Sequence, residues 1–129
     1  MAIPVPATNR LWQQTEPGIF VLGQWVKIAT AKLPWHKKSP GVFTKFLAHD
    51  AATGLRVELY KIKPKTTLTP HRHSNFEWVY VLEGELRDEF GIYPKGSFKI
   101  NPKNSIHTST STKGCVLLVT GAGDYQSVK

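Results

Sequence analysis

At 129 residues, 40% of them apolar and 20% charged, the chain has the size and composition of one globular domain, which excludes intrinsic disorder. A single cysteine, Cys115, excludes an internal disulfide framework, and no apolar run approaches the ~20 residues of a membrane helix. The net charge of +8 is spread over residues such as Lys61, Arg72, Lys99 and Lys113 with no dense basic block. It therefore reads as a solvated surface first, a preference for anionic small molecules second, and not as a nucleic-acid site.

The opening residues, Met1 to Pro6, lack a basic stretch followed by an apolar one. No secretory signal is expected, and the cytoplasm is the expected compartment. Pro4, Pro6 and Pro17 break long regular structure, while Leu11, Trp12, Ile19, Phe20 and Trp25 are too apolar for a loose tail. Residues 1–34 are thus expected as an N-terminal extension, a short helix or turn plus an added strand, packed on the domain or reaching across to a second subunit.

From residue 35 to 129 the pattern is all-β. Glycines and prolines fall every eight to twelve residues, and the runs between them are β-branched or aromatic: Val42 to Leu47, Leu55 to Ile62, Trp78 to Leu82, Ser97 to Ile100, Cys115 to Val119. Short strands at this spacing predict an antiparallel sandwich or barrel. Trp78 and Tyr80 alternate with Glu77, Val79 and Val81 and are expected to point the other way. Arg56, Glu58 and Tyr60 share one face of their strand. Either that face or the Val57–Leu59 face can line a pocket.

The chemistry concentrates in His71-Arg72-His73-Ser74-Asn75-Phe76-Glu77. On a strand, residues i and i+2 face the same way and stand ~6.6 Å apart, so His71 and His73 can converge on one ion. Glu77 would lie ~13 Å beyond His73 on a continuing strand. It is expected to join them through a reversal at Ser74-Asn75 that places it on the neighbouring antiparallel strand. An accidental His-x-His-x-x-x-Glu occurs in roughly one such chain in a hundred, so the motif needs support. His107, on a turn leading into a strand, is the fourth candidate. His36 and His49 sit in polar, turn-like contexts and are expected to be exposed, and Cys115 to be a small buried residue.

That support comes from a wider resemblance. His71, His73, Glu77 and Gly84 match the first motif of the cupin superfamily in register. Gly96, Pro102 and His107 match the second, with Asn104 in place of a glycine and Ser111 in place of an asparagine. Lys65 stands where a glycine opens the first motif. Over residues 35–125 the chain looks like the cupin domain at the C-terminal end of anti-sigma factors (ChrR-like) and its stand-alone, dioxygenase-like relatives. Pro40-Gly41-Val42, Asp88-Glu89, Tyr93 to Ser97 and Gly114-Cys115 carry that likeness. The anti-sigma activity itself is not expected, because it needs an additional zinc-binding helical domain.

The resemblance implies a single-domain cupin, a double-stranded β-helix or jelly-roll barrel, with metal ligands His71, His73, Glu77 and His107. Three neutral imidazoles and one carboxylate suit one divalent transition metal: Mn, Fe, Ni, Co or Zn. The leading expectation is a metal-dependent enzyme on a small, oxygen-rich, anionic substrate, with dioxygenase-type oxidation first. The alternatives are a non-catalytic, metal-stabilised ligand-binding or sensor module, or a non-redox isomerase or lyase. A homodimer is expected, since two-fold pairing is the commonest way to cover an apolar outer sheet. No general base suggests itself from the sequence.

Overall fold

The computed structural model describes residues 28–50, 53–73, 75–122 and 125–127. Most of the N-terminal extension therefore lies outside the described residues; its described end is a 3-10 turn at Thr30–Lys32. The remainder is all-β, as the spacing of turn formers predicts. In chain order the strands are β1 His36–Ser39, β2 Val42–His49, β3 Leu55–Ile62, β4 Thr66–Thr67, β5 His71–His73 and β6 Glu77–Asp88. They continue with β7 Gly91–Pro94, β8 Phe98–Asn101, β9 Ile106–His107, β10 Thr110–Ser111, β11 Cys115–Ala122 and β12 Tyr125–Ser127.

Every pairing among the described residues is antiparallel. One curled sheet runs β1-β2-β3-β11-β6-β10-β4, with β7 and β8 also bonded to β6, and a small sheet runs β12-β5-β9. β6 belongs to two neighbourhoods. Its first half pairs with β11 and β8, its second with β7 and β10. The change falls at Gly84, where φ is +74° and a Cβ would sit 2.0 Å from the Gly114 carbonyl oxygen. Only glycine allows β6 to turn there while lying against the start of β11.

The core follows from alternation across three adjacent strands. Tyr60 and Ile62 of β3, Cys115, Leu117 and Val119 of β11, and Val79 and Val81 of β6 share the inner face and are all buried. Each such side chain contributes about 1.5–3 kcal/mol on leaving water. Trp78 and Tyr80 stand on the opposite face, more than 40% exposed, as their phase in β6 requires. Cys115 is buried, and burial pushes its thiol up.

One local expectation is corrected. β5 does not pair with the strand that carries Glu77; it pairs with β9 and β12, while Glu77 opens β6 in the large sheet. The histidines and Glu77 therefore meet across the interior of the barrel and not side by side in one ladder. Ser74, half of the expected reversal, lies outside the described residues.

Candidate metal centre

β5 and β9 lie side by side with His71 directly opposite His107. His73 is two residues along β5, so all three imidazoles project from one face of the small sheet. Their Nε2 atoms meet: His73 to His107 at 2.9 Å and His107 to His71 at 3.1 Å. Nitrogens bound at ~2.1 Å to one ion and at right angles to each other stand ~3.0 Å apart, so these separations are those of a facial set of three ligands. The three offer ligand atoms within 4.8 Å of one another. His73 and His107 are buried and His71 is half-buried.

The other nitrogen of each ring faces an oxygen. His71 Nδ1 is 3.0 Å from the Thr69 carbonyl, His107 Nδ1 is 3.4 Å from Asp88 Oδ2, and His73 Nδ1 is 3.7 Å from Glu77 Oε2. For His71 and His107 that oxygen accepts a hydrogen bond from Nδ1–H and leaves the Nε2 lone pair turned inward, as metal-ligating histidines require. Burial also favours the neutral form of the His73 and His107 rings. Desolvation pushes His73 down to about 4, with the cationic forms of His71 and His107 acting the same way and Glu77 opposing. Burial and the Lys99 ammonium lower His107 as well. Inward lone pairs and matched Nε2 spacing make the donor set fit a divalent ion.

Asp88 is the hub behind His107. Its carboxylate pairs with the Lys99 ammonium and accepts from the Tyr93 hydroxyl at 3.0 Å and the Phe90 amide at 2.8 Å. Burial pushes the Asp88 carboxyl up, but Lys99, Phe90 and Tyr93 outweigh it and hold it below its ordinary value. Tyr93 is driven to about 12 by burial and by Asp88.

Glu77 is buried in the same interior, yet its carboxylate stands outside the three-histidine group. One row of the sheet explains its position: Arg56, Gly121, Glu77 and Asn101 are register partners across β3, β11, β6 and β8. Asn101 Nδ2 donates to Glu77 Oε1 at 3.1 Å, and Arg56 Nη2 is 3.6 Å from Oε2. Arg56 reaches that far because Gly121 has no side chain; a Cβ there would meet its Nη1 at 3.1 Å. Arg56 also binds Glu58 at 3.0 Å, and burial raises the Glu58 carboxyl. Of the two faces of β3, the Arg56–Glu58–Tyr60 face is thus the inner one. A cavity of about 290 Å³ opens beside the cluster, lined by His71, His107 and Glu77 at one side and by apolar residues such as Val42, Ile62, Leu117 and Val119 elsewhere.

Residues 24–125 match the family of the ChrR cupin-like domain. The chain belongs to the ChrR cupin-like family. No curated protein matches it. Among solved structures it is similar to an RmlC-like cupin from Ralstonia eutropha JMP134, at 20% identity and TM-score 0.71, covering 77% of this chain and 69% of that one. An acetylacetone dioxygenase from Acinetobacter johnsonii aligns at 12% identity and TM-score 0.71 over 81% and 77% of the two chains. The Rhodobacter sphaeroides complex of SigE with the anti-sigma ChrR aligns at 23% identity and TM-score 0.62, over 69% of this chain and 49% of that one. These likenesses show the cupin fold.

This cupin also keeps the backbone of its two missing glycines. Lys65 and Asn104 both take left-handed conformations, at φ of 62° and 68°. Asn104 in that turn donates its backbone amide to the His73 carbonyl at 2.8 Å, so the substituted loop still anchors the strand of the candidate ligands His71 and His73. Sequence reading missed Asp88, Lys99 and Asn101. The available signal was in β8: Phe98 and Ile100 are exposed while Lys99 and Asn101 are buried, an inverted alternation that marks a polar interior. His36 is exposed as expected, and His49 is half-buried on β2.

Proposed function

We propose that this cupin is a metal-dependent enzyme in which His71, His73, His107 and Glu77 hold one divalent transition metal, with dioxygenase-type oxidation of a small, oxygen-rich, anionic substrate as its reaction. The observation that carries the proposal is the meeting of three buried or half-buried Nε2 atoms beside a cavity of about 290 Å³. A divalent ion there supplies Lewis acidity toward chelating oxygens or, as Fe(II), reactivity with O2. The chain does the rest. Thr69 and Asp88 set the ring tautomers, Glu77 lowers the net charge of the centre to +1, and the Val and Leu walls keep bulk water from the substrate. The cavity is at the small end of ligand sites, which suits a substrate of few carbons.

A second reading is a metal-stabilised ligand-binding or sensor module, favoured by the family match to the cupin-like domain of ChrR. Non-redox isomerase or lyase chemistry uses the same Lewis acidity. We place the protein in the cytoplasm as a homodimer, paired through the outer face of β6 and β8, where Trp78, Tyr80, Phe98 and Ile100 are exposed. No helix among the described residues is long and apolar enough to cross a membrane.

Elemental analysis of wild type, His73→Ala and His107→Ala tests the centre. One ion per chain in wild type, lost in both variants, is the expected result; a wild type that stays metal-free after reconstitution refutes it. O2 uptake and substrate turnover by the loaded protein then separate enzyme from module.

A further inference from the structure

Every residue of β1 is exposed, as befits an edge strand, and a lysine on such a strand ordinarily sends its ammonium to water. Lys38 does the reverse. Its Nζ donates to the Tyr60 hydroxyl at 2.6 Å and lies 4.9 Å from the centre of the Tyr60 ring. Tyr60 is a buried core residue, and Lys38 and Tyr60 both line the cavity that His71 and His107 border from the small sheet. The stem runs along the surface while the charged head turns inward.

That orientation has a cost, since burial and the Arg56 guanidinium pull the Lys38 ammonium down while Glu58 and Glu77 oppose them. The two acids have other polar partners: Glu58 already binds Arg56 at 3.0 Å, and Glu77 has both Arg56 and Asn101. Packing does not require that orientation, because a methylene chain alone would cover the same surface. What the inward head adds is a cation on the wall of an otherwise largely apolar cavity, opposite a cluster suited to bind neutral oxygens through a metal. A desolvated ammonium with three donors is a strong and selective partner for an oxyanion.

We propose that Lys38, braced by Tyr60, is the anion anchor of this cavity and selects short oxo monocarboxylates, holding the carboxylate while the carbonyl end faces the three histidines. Lys38 is thus a specificity residue for the site, with Tyr60 positioning it. The assignment deepens the metal-dependent reading and rests on it only for the carbonyl end of the ligand. Among the described lining residues Lys38 is the one lysine, which matches a single carboxylate, and the small apolar walls match a short carbon chain.

The test uses pyruvate, 2-oxobutyrate and levulinate, each against the neutral ketone in which an acetyl group replaces the carboxylate. Affinities are read by ligand-observed NMR on the full chain, both zinc-loaded and metal-free. Wild type is expected to prefer at least one anion over its neutral partner by about 10- to 100-fold. In Lys38→Met the preference falls to near parity with metal content unchanged, and in Tyr60→Phe it falls part of the way. Lys38→Gln serves as a second variant, with a thermal melt of each protein to confirm folding. Absence of any anion preference in wild type, or a preference that survives in folded Lys38→Met and Lys38→Gln, overturns the anchor. A wild type that takes up no zinc defeats the metal reading instead, while the metal-free titration still decides the anchor.

Discussion

Replacing Asp88 by asparagine separates what the hub behind His107 does for stability from what it does for the metal. Asp88 and Lys99 form a buried ion pair, their side chains 1% and 7% exposed. The substituted asparagine keeps an acceptor for Tyr93 and Phe90 but turns an amide donor toward the Lys99 ammonium. Stranding one buried charge in this way costs about 3–5 kcal/mol. Adding Lys99→Met removes the stranded charge, and replacing a buried pair with apolar groups is close to neutral. The double variant should therefore regain most of the stability lost by Asp88→Asn, measured by urea denaturation with an unchanged slope.

Metal affinity should not return with it. In the variant, His107 meets an amide donor at Nδ1 in place of a carboxylate 3.4 Å away. Its proton is then driven to Nε2, the atom needed for the ion. Loss of such a partner typically weakens metal binding about 10- to 100-fold. Competition against a chelator reads this directly in the refolded, stable double variant. A double variant as unstable as Asp88→Asn would refute the ion-pair account, and one with wild-type metal affinity would refute the tautomer account.

Two further predictions concern the loop and the rings. Lys65→Gly should raise the thermal midpoint: relief of a left-handed lysine is worth about 1–2 kcal/mol, against about 0.5–1 kcal/mol of glycine entropy. A midpoint equal to or below wild type would mean that Lys65 is held there by contacts that compensate its strain. For His73 the folded pKa of about 4 lies below the ordinary 6.5, so between those values the unfolded chain binds more protons. Metal-free protein should accordingly lose stability as pH falls from about 6.5 towards 4, and His73→Gln should flatten that slope, seen in melts across the range. An unchanged slope in the variant would assign the pH dependence to other groups.

Local pattern sufficed for the strands and for the pairing of His71 with His73. Alternation is a property of neighbouring residues, and it places Trp78 and Tyr80 outward and His71 and His73 together whatever the rest of the chain does. His107 joined them through its match to the second cupin motif, and the pairing of β9 with β5 sets it opposite His71. The pairing of β5 was misjudged because a tight reversal and a crossing to the other sheet use the same few residues. Local sequence does not distinguish the two.

What only the tertiary structure decided is the set of long-range partners. Arg56 reaches Glu77 over Gly121, Asp88 stands behind His107 with Lys99 beside it, and Lys38 turns inward to Tyr60. Each joins residues far apart in the chain that strand pairing, or the facing of the two sheets, brings together. Register across such a sheet is set by bulges and bends, as at Gly84, that no short stretch of sequence displays. The candidate ligands of this cupin are thus written in two short motifs, while the groups that set their proton positions and charges come together only in the assembled fold.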